Sequence, residues 1–136
     1  MGYAQERKIP KQILELQKRL DKWNYVKSVL DEIFRGADVN YSISPLNEYN
    51  VFVVRLSVPI DKVNLLTSDD KFFELEIKKD RNDYVKISDF YDDVSLDKLI
   101  TETSRHTGRY SIRVRPTSIR IIDGILQIEL TGRVLE

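Results

Sequence analysis

The chain contains no cysteine. That absence excludes disulfide frameworks, thiol catalysis, iron–sulfur clusters and thiolate zinc sites together. Histidine is nearly as scarce, with His106 the sole example. Any metal site would therefore have to be all-oxygen, and any Ser-His-Asp arrangement would have to pass through His106. The five glycines, at positions 2, 36, 108, 124 and 132, form neither a dinucleotide fingerprint nor a phosphate-binding loop. Nucleotide-dependent transfer or redox chemistry has no motif here, and no cofactor is expected. No apolar run approaches the roughly 18 residues of a spanning helix. Met1 to Pro10 is charged where a secretion signal needs an apolar core, and Glu6 stands where myristoylation needs Ser or Thr. The expectation is a cytoplasmic protein without membrane contact. Net charge is absent too: 22 Lys and Arg balance 22 Asp and Glu, so nothing global favours nucleic acid or anionic lipid.

What remains is the material of one domain, 136 residues of which 41% are hydrophobic and 32% charged. A chain of this size buries roughly two-thirds of its unfolded surface, enough for a core without covalent staples. No linker or repeat divides it, so residues 1–136 are read as a single α+β domain.

From Pro10 to about residue 35 the apolar residues Ile13, Leu16, Leu20, Trp23, Val26, Leu30 and Ile33 recur at steps of three and four, predicting a helix. Pro10 suits its first position and Gly36 its end. At 1.5 Å per residue it would be ~38 Å long, as long as the whole domain is wide, so it must cross the domain or project from it. Lys27 interrupts the apolar seam, which favours packing on the chain's own sheet over a coiled coil. The period then changes to two. Strands are expected at about 38–44, 49–58, 72–79, 109–115, 118–122 and 125–131, with a short edge strand near Tyr84–Ile87. Residues 61–67 fit neither period. Ser95 is a reasonable N-cap for a second helix through about 105. Asp123-Gly124 between two apolar runs predicts a two-residue type I′ hairpin that pairs Ile122 with Ile125, Ile121 with Leu126 and Ile119 with Ile128. The expected fold is thus a long N-terminal helix on a mainly antiparallel sheet of five or six strands, a second short helix and a C-terminal hairpin.

The neutral total hides an uneven distribution. Asp61 to Glu102 holds twelve acids against seven bases, whereas Thr103 to Glu136 holds six bases against three acids, and all six are arginine. Alternation puts Arg109, Arg113 and Arg115 on the face opposite Tyr110, Ile112 and Val114. The hairpin register puts Arg120 beside Gln127 and Ser118 beside Glu129. If these strands are neighbours, the sheet presents an arginine stripe broken mainly by Glu129. Arginine forks suit carboxylates and phosphates. The same stripe is also what internal pairing with Glu129 and the acidic segment would need. The acidic residues Asp89, Asp92 and Asp93 lack the glycine and spaced ligands of a calcium loop. His106, at a helix C-terminus, complements the helix dipole.

One enzyme pattern is present. Pro59-Ile60-Asp61 followed by Glu76-Ile77-Lys78 resembles the signature of the PD-(D/E)xK nucleases, over roughly residues 10–115. The resemblance implies a divalent metal held by Asp61 and Glu76, with Lys78 positioning the attacking water. The extra residue between Pro59 and Asp61, and the charged Glu74 on the same strand, depart from that pattern.

The function expected from these residues is non-enzymatic binding of another macromolecule. The favoured partner is another protein with an acidic surface, bound through Arg109, Arg113, Arg115 and Arg120, and the chain is expected to form a homo-oligomer. An inhibitor or assembly component of a virus or mobile element has this character. Nucleic acid on the same arginine face, and the nuclease, are the alternatives.

Overall fold

A computed structural model describes residues 10–68, 73–89, 92 and 94–135. The elements run α1 (Lys11–Ile33), β1 (Asn40–Ile43), β2 (Val51–Pro59), β3 (Val63–Ser68), β4 (Phe73–Lys78), β5 (Tyr84–Ser88), α2 (Leu96–Thr107), β6 (Ser111–Ile122) and β7 (Ile125–Leu135). The α+β architecture with its long first helix, second helix and closing hairpin is as the sequence predicts. The strands number seven and divide into two antiparallel sheets rather than one: a four-stranded sheet ordered β1-β2-β7-β6, and a three-stranded sheet ordered β3-β4-β5.

The segment with no clear period is β3. Its register on β4 shifts between Leu65 and Thr67, and both Leu65 and Leu66 are exposed. A bulge there breaks the two-residue alternation that a sequence reading depends on. On β4 the alternation is clean, with Phe73, Leu75 and Ile77 buried.

The hairpin pairs Ile122 with Ile125, Ile121 with Leu126 and Ile119 with Ile128. Asp123 and Gly124 have φ of 51° and 74°, the two left-handed residues a type I′ turn requires. The predicted strands 109–115 and 118–122 are one twelve-residue strand, β6, carried past Pro116 by a register shift between Pro116 and Ser118. β7 runs four residues further than predicted. It passes through Gly132, which lies opposite Phe52 of β2, and a Cβ at Gly132 would lie 2.3 Å from the Phe52 ring. The ring fills the place a side chain would have taken.

Both sheets and both helices contribute to one apolar core that includes Phe52, Leu56, Leu75, Ile87, Ile100, Ile112 and Ile128. Helix α1 joins it through its second half only. Tyr25, Val26, Val29, Leu30 and Ile33 are buried, and the Trp23 indole donates to the carbonyl of Ile43 at 3.2 Å. Ile13, Leu16 and Leu20 are 45–58% exposed. The expected packing on the chain's own sheet therefore holds from Trp23 onward, while the apolar side chains of the first turns stay exposed. The Tyr25 hydroxyl donates to the carbonyl of Ser104, tying α1 to α2.

Candidate functional site

The site is the face of the four-stranded sheet turned away from the core. On β7 every second residue from Leu126 to Val134 is buried, so Gln127, Glu129, Thr131 and Arg133 face outward. The register puts Val51 opposite Arg133, Val53 opposite Thr131 and Arg55 opposite Glu129 on the β2 side. On the β6 side, Arg113 lies opposite Arg133, Arg115 opposite Thr131, Ser118 opposite Glu129 and Arg120 opposite Gln127.

The bulge is what makes this one surface. Arg115 and Arg120 are five residues apart, an odd spacing that would place them on opposite faces of a regular strand. One extra residue at Pro116–Ser118 restores the parity, so both share the outer face. Among the described residues the outer face thereby carries five arginines, Arg55, Arg113, Arg115, Arg120 and Arg133, against the single carboxylate of Glu129. That carboxylate is engaged by Arg55 at 3.4 Å. Among the described residues no ion pair reaches Arg113, Arg115, Arg120 or Arg133.

The acidic segment is occupied elsewhere. Lys86 of β5 bridges Glu74 and Asp92, which hold its ammonium pKa up, Glu74 foremost. Asp92 also accepts the Val94 amide, and its pKa is lowered by that bond and by Lys86 against the opposing effect of burial. Asp89 accepts the Phe73 amide at 3.1 Å. Asp93 lies outside the described residues. Glu74, Asp89 and Asp92 thus close the second sheet onto its loop, away from the stripe.

Of the four arginines singled out from the sequence, the structure brings Arg113, Arg115 and Arg120 together and sets Arg109 apart. Arg109 binds Asp21 of α1 at 2.6 Å, and the Tyr110 hydroxyl donates to the same carboxylate. The Tyr110 bond, with Arg109 beside it, lowers the Asp21 pKa. Arg109 thus ties α1 to the start of β6. Sequence reasoning missed Arg55 and Arg133. Arg133 lies past the predicted strand end at 131, beyond Gly132, whose place in β7 depends on Phe52 of the neighbouring strand. Arg55 joins only through β2–β7 pairing across more than seventy residues of chain.

An open groove of about 430 Å³ lies within the cluster, lined by Val51 of β2, Thr131, Gly132 and Arg133 of β7, Arg113, Val114 and Arg115 of β6, and Thr101 of α2.

The nuclease residues fall on the other sheet. Asp61 is in a 3-10 turn ahead of β3, while Glu76 and Lys78 are on β4, Glu76 half-buried and Lys78 exposed. Glu76 faces Asn64 on one side and Lys86 on the other. Among the described residues no three acidic or histidine side chains cluster closely enough to hold a metal. His106 is exposed in the last turn of α2. Among the described residues no helix is long and apolar enough to cross a membrane.

Comparison with protein-family models, curated proteins and solved structures yields no match for this chain.

Proposed function

We propose that this chain is a small, non-enzymatic binding protein that captures an acidic segment of another protein on the outer face of its four-stranded sheet, in the manner of an inhibitor or assembly component. The observation that carries this reading is the direct opposition of Arg113 and Arg133, flanked by Arg115 and with no carboxylate engaging them among the described residues. Like charges directly opposite on neighbouring strands destabilise a sheet. A partner's carboxylates, held bidentately by such forks, would relieve that repulsion. An acidic protein is favoured over nucleic acid because the chain's total charge is zero. Among the described residues the outward positions of its strands also carry no aromatic ring on which a base could stack.

Fluorescence anisotropy tests it. An oligoglutamate peptide, double-stranded DNA and single-stranded RNA are titrated at low and moderate salt, against the protein and its Arg113→Gln/Arg115→Gln/Arg120→Gln/Arg133→Gln variant. The reading requires peptide binding that the variant loses while its melting temperature is retained. Stronger binding of nucleic acid, weakening steeply with salt, would transfer the face to phosphate. Magnesium-dependent cleavage abolished by Glu76→Ala would assign the nuclease instead. The exposed Ile13, Leu16 and Leu20 of α1 form a second surface, suited to the homo-oligomer, and sedimentation of a Leu16→Glu/Leu20→Glu variant tests that.

A further inference from the structure

The arginine face is not uniformly polar. At one end, where Arg113 and Arg133 oppose each other, its surface dips into the groove of about 430 Å³. We infer that this groove receives one apolar side chain of the bound segment, with carboxylates on either side of it held by Arg113, Arg115 and Arg133. The inference rests on the anion-binding reading of the same face and narrows its ligand to an acidic peptide carrying an apolar anchor.

Three features support it. Val51 lies directly opposite Arg133 and is only partly buried, so its apolar surface is available beside a guanidinium. Thr131, opposite Arg115, lines the same groove, and the stems of the arginines add aliphatic wall below their charged ends. The volume lies within the range of ligand pockets and has room for a large apolar side chain. The charge complementarity is one-sided, since among the described residues the face's one carboxylate is engaged by Arg55. A hydrophobic anchor between bidentate carboxylates would thus be desolvated against apolar walls while its neighbours neutralise the rim.

Four fluorescent peptides of about ten residues in a Gly/Ser background make the test. They carry Glu-Leu-Glu, Glu-Ser-Glu or Gln-Leu-Gln internally, or Glu-Leu as a free C-terminus. The leucine peptide should bind about ten-fold more tightly than its serine twin, the lower range of what burying a leucine provides. The glutamine twin should lose binding. The free-acid peptide tells whether the second carboxylate comes from a side chain or a chain end, and leucine-dependent binding in either form supports the inference. Val51→Ser should reduce the leucine preference to near unity. Thr131→Glu, which places a carboxylate among the three arginines, should block all of the acidic peptides. Equal binding of the leucine and serine peptides overturns the groove while the anion-binding face stands. Failure of every acidic peptide to bind overturns both.

Discussion

Reversing one charge of the Arg113–Arg133 pair should make the free protein more stable and its binding worse. Both side chains are exposed and directly opposite on β6 and β7. In Arg133→Glu the repulsive pair becomes an attractive one, and the new carboxylate also stands near Arg115. An opposite-charge cross-strand pair contributes about 0.2–1 kcal/mol, and exposure to solvent keeps the worth of such pairs at the low end of electrostatic interactions. Removing a repulsion and adding an attraction together amount to about 1 kcal/mol. For a domain of this length that is roughly 3–5 °C in melting temperature. The measurement is thermal unfolding by circular dichroism in low salt and in 1 M salt, where the screening length falls to about 3 Å and most of the gain should vanish. Arg133→Gln should give about half the effect. A melting temperature that drops in Arg133→Glu, or that rises equally at both salt concentrations, would refute the idea that an unrelieved repulsion is kept on this face. In the peptide assay the same variant should bind the acidic probe more weakly, so stability and binding move in opposite directions.

Three further outcomes follow from the packing. Gly132→Ala drives a methyl group into the buried Phe52 ring, 2.3 Å from its nearest carbon and 2.9 Å from Val114. It should destabilise by about 1–3 kcal/mol, read as a lower urea midpoint. Leu16→Glu with Leu20→Glu should change monomer stability by no more than about 0.5 kcal/mol, whereas Leu30→Ala on the buried half of the same helix should cost about 2–5 kcal/mol. Asp97, near the N-terminus of α2, is buried with one carboxylate oxygen unpartnered, and burial raises its pKa. The folded state then holds this proton more tightly than the unfolded state, so the carboxylate's stability penalty is absent below about pH 4 and grows as pH rises through its folded pKa. Asp97→Asn should therefore raise the melting temperature at pH 7 more than at pH 4, and an equal shift at both would contradict a buried, charged Asp97.

By itself the sequence determined the elements whose physics is local. A run of seven apolar residues at helical spacing makes α1 whatever it packs against. Asp123-Gly124 between apolar runs allows one tight hairpin, and its register follows from the turn alone, which is why the outward placement of Arg120 beside Gln127 was legible. The acid-rich and arginine-rich halves were legible as composition. What each of those charges faces was not, because strand pairing between distant segments is decided by which surfaces bury one another. Only the tertiary structure brought Arg55 from β2 and Arg133 from the end of β7 onto the stripe, and only it engaged Arg109 with Asp21. It decided that Glu74 and Asp92 of the middle segment serve Lys86 rather than the arginines. It also divided one expected sheet into two and left Ile13, Leu16 and Leu20 exposed among the described residues. Two irregularities account for much of the remainder. A bulge at Pro116–Ser118 preserves the facing of Arg113, Arg115 and Arg120 through an odd spacing, and a glycine at 132 continues a strand because Phe52 occupies its missing side chain. Neither has a local signature, since each depends on a neighbouring strand's side chain or register for its stability.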